Sequence, residues 1–417
     1  MNAPRIAYIC ADPGVPVFGH KGCSVHVQEV IRALRRRGAR VDLFATRFDG
    51  PAPDDLRDLR THLLACPSGS NLAERERACQ QANTTLARLL SAAGPFDFVY
   101  ERFSLWSFAG MLLARTYGAP GLLEVNAPLI EEQAAHRGLV DRPAAERIAQ
   151  RAFTDASALL AVSDGVAVWL RARGASPAAI HVVPNGVDPA RFPAALRPAW
   201  HWPEGGRAFT IGFVGSLKPW HGVPVLIQAF ARLRQRVAEA RLLIVGEGPD
   251  RAALEKQVRS LAMESCVHFT GGVPPETIPG LLAAMDVAVA PYPPLAGFYF
   301  SPLKVYEYMA AGRAVVASGI GQLSQLIIHG ENGLLCQPGN AAELAGQLAL
   351  LHGDEQARTR LGAAARKTAL DNYTWDHVAG RILMLAESCG QSGLPSITQA
   401  SVLTHTPPVG RPVLLSP

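Results

Sequence analysis

The feature that most constrains this chain is an alternation running through most of its length. Short apolar runs of strand character are each followed by a stretch with helical periodicity. Repeated strand–helix–strand succession folds as βαβ units with a parallel sheet. Strands are expected at residues 6–10, 40–45, 98–101, 121–125, 158–162 and 180–183, and again at 210–214, 242–245, 267–270, 287–290 and 314–317. Helices fall between them. At 25–37, Val27, Val30, Ile31 and Leu34 share one face and Gly38 ends the run; others read at 223–236 and 250–261. The rhythm stops once. Residues 188–206 carry Pro189, Pro193, Pro198 and Pro203 without periodicity, which is the signature of an interdomain linker. The expected class is therefore α/β, with two Rossmann-like domains facing each other across a cleft. Residues 1–188 form the first domain, 189–207 the linker and 208–372 the second domain. Residues 373–390 should be a helix packing back on the first domain through Trp375, Val378, Ile382 and Leu385. Residues 391–417, rich in Pro, Ser and Thr and almost without charge, read as a disordered tail. In open parallel sheets, ligands bind beyond the carboxyl ends of the strands, so the cleft is where function is sought.

Composition excludes several classes. At 417 residues, 48% of them hydrophobic, the chain is too long for one ordinary core and suits two. No run of eighteen apolar residues exists, and the N-terminal apolar stretch is too short for a signal peptide, so a cytoplasmic location is expected. Seven scattered cysteines without a C-x-x-C pair argue against a disulfide framework and against a zinc cluster. A net charge of +5 is too weak to imply nucleic acid. One local cluster stands out: Arg32, Arg35, Arg36, Arg37 and Arg40. It reads either as a solvated helix face whose cations suit the helix C-terminus, or as a peripheral contact with anionic membrane lipid.

Two motifs carry chemistry. In residues 213–222, FVGSLKPWHG, a strand ends in a glycine-bearing loop holding Ser216, Lys218 and His221, and a helix follows. Such loops present backbone N–H groups and cations to phosphate oxygens; an ordinary βα turn is the plainer reading. In residues 301–312, SPLKVYEYMAAG, Pro302 suits a first helical turn and Ser301 its N-cap. Lys304 could meet phosphate. Glu307, an acceptor-only group with two oxygens, suits the two hydroxyls of a ribose; otherwise Lys304 and Glu307 form a weak surface pair.

Together, in this order, the motifs resemble glycosyltransferase family 4, the retaining enzymes of GT-B architecture. Further segments are similar to that family's: Gly19-His20-Lys21-Gly22 to its acceptor-side loop, residues 183–188 to its interdomain junction, Gly246-Glu247-Gly248 to its nucleotide-facing loop, and residues 330–335 to a late glycine segment. The resemblance implies a nucleotide-sugar donor held at its diphosphate by Ser216, Lys218, His221, Ser301, Leu303 and Lys304, and at its ribose by Glu307. It implies a glycan, glycolipid or small-molecule hydroxyl acceptor, a role in surface polysaccharide or glycoconjugate synthesis, and neither metal nor other cofactor; the chain has no D-x-D.

Four positions depart from the family pattern. Ser216 and His221 stand where an Arg and a Lys are usual, Tyr299 replaces the first of two glutamates eight apart, and Asn126 replaces a histidine near the reacting sugar. Asn126 and His136, both following an N-domain strand, are the candidates near the chemistry. Either His221 is protonated in the donor complex, so that donor affinity falls as pH rises from about 6.5, or Lys218 alone grips the phosphates and His221 merely shapes the turn beside Trp220 and Gly222. Two other functions share this architecture: a nucleotide-sugar 2-epimerase, and a non-catalytic nucleotide-sugar-binding subunit. The lack of a G-x-G-x-x-G argues against a dinucleotide oxidoreductase.

Overall fold

The computed structural model describes residues 3–202 and 208–391. Residues 203–207 of the expected linker and 392–417 of the expected tail lie outside the described residues.

The first sheet has seven strands: β1 (Arg5–Cys10), β2 (Arg40–Ala45), β3 (Arg60–Leu63), β4 (Phe98–Arg102), β5 (Gly121–Val125), β6 (Ala158–Ala161) and β7 (Ile180–Val182). They pair, all parallel, in the order β3-β2-β1-β4-β5-β6-β7. The second has six: β8 (Phe209–Val214), β9 (Ala240–Val245), β10 (Val267–Gly271), β11 (Val287–Ala290), β12 (Ala314–Ser318) and β13 (Leu334–Cys336). Their order, again parallel, is β10-β9-β8-β11-β12-β13. In both sheets the order reverses beside the first strand, so a crevice opens at the carboxyl ends of β1/β4 and of β8/β11.

Both faces of each sheet are covered, which is why the strands read as unbroken apolar runs. Along β1, Ile6, Tyr8 and Cys10 enter one core while Ala7 and Ile9 enter another. Along β11, Val287 and Val289 face one core, and Ala288 and Ala290 the other. The edge strands differ. None of the four residues of β3 is buried, and its Arg-Thr-His-Leu sequence carries no apolar run.

The two domains are joined twice. The chain leaves the first domain near Val187 and returns at Thr374; these residues pair in parallel, with Val187 N–H bonding Tyr373 O at 2.9 Å and Trp375 N–H bonding Val187 O at 3.1 Å. The last helix (Trp375–Gln391) then lies on the first helix (Gly22–Arg36), and Trp375, Val378, Ile382 and Leu385 join the core of the first domain. The segment after Val187 is not a free spacer. Phe192 is fully buried in the second domain, where Arg366 Nη2 binds its carbonyl at 2.7 Å, and Trp200 and Trp202 pack on the same core.

The arginine cluster is engaged internally. Arg32 binds Asp55 and Glu29, Arg35 binds Asp58, and Arg36 binds Asp376, while Arg37 donates to the carbonyl of Asp376. Four of the five cations thus have partners within the protein, which favours the solvated-face reading over the lipid-contact one. All seven cysteines are free. No described helix is long and apolar enough to cross a membrane.

Candidate active site

A cleft of about 1040 Å³ lies between the domains. From the first domain, Gly19, His20, Lys21 and Gly22 line it at the start of the first helix. From the second come Ser216 and Lys218, Gly246 to Gly248, and Leu303, Lys304 and Glu307. Segments far apart in sequence meet there because each follows the carboxyl end of a strand or opens a helix.

The floor of the second-domain half is two loops in close contact. Leu217 N–H bonds Glu247 O at 3.0 Å, and Asp250 N–H bonds Leu217 O at 3.1 Å. Only glycine permits this. Gly246 has φ +137°, and a Cβ there would stand 2.0 Å from Gly215 O. Gly215, at φ +149°, would place a Cβ 2.6 Å from Lys304 Nζ. The missing side chains leave loop backbone facing the hollow and room for the Lys304 ammonium beneath it.

Lys304 is the centre of this arrangement. Its stem is partly exposed, but Nζ is buried and has no hydrogen-bond partner among the described residues. The ammonium instead lies 4.3 Å from the Phe213 ring centre and 5.5 Å from that of Tyr292. Burial pulls its pKa down to about 7. A cation held this way is costly unless an anion joins it. Lys218 also faces the cleft, with Nζ 4.8 Å from the Trp220 ring centre.

In the free protein His221 is a neutral ring tied to its own loop. Its Nδ1 lies 2.5 Å from Ser216 O, and a carbonyl only accepts, so Nδ1 carries a proton in the neutral ring. Burial and the nearby Lys304 and Lys218 charges hold its pKa at about 3. The free protein therefore holds His221 neutral, which favours the turn-shaping reading over the phosphate one. The residue shapes the turn, and the group poised to exchange a proton near neutrality is Lys304.

Ser301 is corrected. The helix runs Leu303–Ala310, its N-cap is Pro302, and no side chain caps it. The Ser301 hydroxyl is taken by the junction instead: it accepts from Asn185 N–H at 3.1 Å, while Ser301 O accepts from Asn185 Nδ2 at 2.7 Å. Ser301 thus ties the start of this helix to the interdomain junction. Ser163 Oγ donates to Tyr299 O at 2.6 Å beside it, and the Tyr299 hydroxyl bonds Glu132 of the first domain.

Glu307 lines the cleft, but its partner is not Lys304. Arg191, in the segment read as linker, donates from Nη1 to Glu307 Oε1 at 2.9 Å. Burial raises the Glu307 pKa and Arg191 opposes that rise. Sequence reasoning missed Arg191; the available signal was Phe192, an aromatic among prolines with no reason to be there unless buried. Glu247 binds Arg251 at 2.6 Å, which holds its carboxyl below the usual range.

Asn126 and His136 do not line this cleft. Asn126 donates from Nδ2 to Glu124 Oε2 at 2.9 Å. Glu124 is fixed by His26 at 2.8 Å and by Arg102 at 3.6 Å; despite burial, these neighbours hold its pKa near 2. His136 is exposed at the end of the helix Leu129–His136, with its ring 5.4 Å from Trp220 across the domain boundary. Among the described residues, no group of three His, Cys, Asp or Glu side chains could hold a metal ion.

Two Rossmann-like domains around a glycine-floored, cation-bearing cleft define a GT-B protein. Residues 20–191 match the family model described as Glycosyltransferase Family 4, and 208–354 the one described as Glycosyl transferases group 1. The D-inositol 3-phosphate glycosyltransferase of Jonesia denitrificans is 30% identical, over 92% of this chain and 96% of that protein. The 2-deoxystreptamine glucosyltransferase of Streptomyces kanamyceticus is 27% identical, over 86% of this chain and 97% of that protein. Among solved structures, sucrose-phosphate synthase from Thermosynechococcus elongatus superposes with a TM-score of 0.75 at 21% identity, over 94% of this chain and all of that one. Anabaena Alr3699/HepE, solved with UDP-glucose, superposes with a TM-score of 0.69 at 18% identity, over 92% of this chain and all of that one. The chain belongs to glycosyltransferase family 4 and is a glycosyltransferase.

Proposed function

We propose that this chain transfers a sugar from a nucleotide-diphosphate sugar, seated in the interdomain cleft, to a hydroxyl acceptor, with retention at the anomeric carbon and without a metal. The observation that carries the reading is the partnerless Lys304 ammonium over a glycine floor, with Lys218 beside it. A diphosphate supplies the charge that this site lacks. The HepE structures with UDP and UDP-glucose support a donor of this class.

The chemistry follows from that seat. The bond between the anomeric carbon and the β-phosphate oxygen breaks, and its electron pair stays on the oxygen. Lys304 and Lys218 stabilise the developing charge, which is the largest service such a site can give. The acceptor hydroxyl attacks the same face, and its proton passes to the departing phosphate oxygen. No strong enzymic base is needed, and the protein's remaining task is alignment.

The test is a transfer assay with UDP-, GDP- and ADP-sugars in the presence of a chelator. Acceptors should include inositol 3-phosphate, 2-deoxystreptamine and glycan ends. The expected product is an α-linked glycoside formed from an α-linked donor. Conversion of the donor to its 2-epimer without acceptor, or donor binding with no transfer to any acceptor, would overturn the reading.

A further inference from the structure

We propose that Arg191 is a positioning residue for nucleotide recognition: it holds the Glu307 carboxylate so that one oxygen remains turned to the ribose hydroxyls, making the interdomain segment part of the donor site. This rests on the reading that Glu307 accepts those hydroxyls.

Arg191 is anchored at two points. Nη1 binds Glu307 Oε1 at 2.9 Å, and Nη2 binds the carbonyl of Pro275 at 2.8 Å. A planar guanidinium fixed at both ends of its fork cannot swing without losing a bond. The backbone on either side is equally fixed. Asp188 Oδ1 accepts from Ala190 N–H at 3.0 Å, and Phe192 is fully buried. Arg191, Pro275 and Glu307 all line the cleft, so the fork spans the loop after β10 and the carboxylate.

Arg191 engages Oε1, and among the described residues no other side chain hydrogen-bonds the Glu307 carboxylate. Oε2 is left for a diol. The cation on the helix that carries Glu307, Lys304, is turned to Phe213 and Tyr292. Without Arg191 the buried carboxyl would lose both its counter-charge and its fixed rotamer. It would then tend to hold a proton and present a donor where the ribose needs an acceptor.

The test compares three probes by titration calorimetry: inorganic pyrophosphate, the tightest-binding of UDP, GDP and ADP, and the 2′-deoxy form of that nucleotide. In the wild type, loss of the 2′-hydroxyl should weaken binding about 10- to 100-fold, the range of a charge-assisted hydrogen bond. Arg191→Gln should bring that ratio below about threefold while leaving pyrophosphate affinity within twofold. Arg191→Lys, which can reach one anchor at a time, should fall between. An unchanged ratio in Arg191→Gln overturns the proposal. So does a parallel loss for all three probes in both variants, which would show a purely structural role. If Glu307→Gln leaves the ratio unchanged, the reading of Glu307 itself fails, independently of Arg191.

Discussion

Replacing Lys304 with methionine keeps an apolar stem and removes the charge. Burial moves the pKa of Lys304 from 10.5 to about 7. Such a shift corresponds to about 5 kcal/mol disfavouring the protonated folded form, at about 1.4 kcal/mol per unit. The unfolded chain keeps its proton up to the ordinary lysine value, while the folded chain releases it near 7. The cost is therefore fully present below pH 7 and fades between 7 and 10.5. Lys304→Met should raise the stability of the free protein at pH 6–7 by about 2–5 kcal/mol and lower donor affinity by about 100-fold or more. Binding should be proton-coupled in the wild type. A bound diphosphate restores the charge, so complex formation takes up about half a proton at pH 7, about nine-tenths at pH 8 and under about one-tenth at pH 6. Affinity should fall about eightfold from pH 7.5 to 8.5. The assay is titration calorimetry of a nucleotide sugar in two buffers of different ionisation enthalpy; a diphosphate esterified at both ends has no proton of its own to exchange in that range. The same uptake in Lys304→Met, or none in the wild type at pH 8, would refute the assignment.

Three further outcomes are expected. His221, held neutral with a pKa of about 3, contributes stability that is present above the unfolded value of 6.5 and lost as pH falls toward 3. His221→Asn should flatten the denaturation midpoint between pH 6.5 and 4.5, where the wild type loses about 2–3 kcal/mol from this group, and a wild-type midpoint already flat there would count against it. Asn126→Ala should cost about 1–3 kcal/mol of stability through its lost bond to the buried Glu124, with kcat and donor KM within about twofold of the wild type; a kcat loss of about 10-fold or more at unchanged Tm would place it in the chemistry instead. Gly222 sits at φ +70°, where a Cβ would stand 1.8 Å from Pro291 O. Gly222→Ala should therefore cost about 3 kcal/mol or more, read as a large drop in Tm, and an unaltered Tm would contradict the geometry.

Much of the fold was legible because parallel strands buried on both faces must be apolar throughout. The strand expected at 287–290 is Val287–Ala290, and that at 121–125 is Gly121–Val125. Edge strands escape this logic. Arg60–Leu63 has one neighbour and little burial, so its sequence is free to look like a loop. The glycine loops were legible because close approach of two backbones restricts residue type. What the site owes to distant pairing was not. Nothing near Glu307 in sequence points to Arg191, and nothing near Ser301 points to Asn185, because both partners arrive from the junction between domains. The neutral state of His221 likewise depends on burial beside Lys304, which spacing alone does not encode.

The paired crossings at Val187 and Thr374 make the second domain an insertion into the first. Two strands of chain, hydrogen-bonded side by side, resist sliding and yield most easily to rotation, so opening and closing of the cleft should resemble a door on one pin. The arrangement also orders events during synthesis. The first domain cannot cover its own first helix until Trp375, Val378, Ile382 and Leu385 have been made. Burial of four such side chains is worth on the order of 6–12 kcal/mol, comparable with the whole stability of a domain. The inserted domain, complete sooner, would be folded while the domain that began first is still waiting for its final helix.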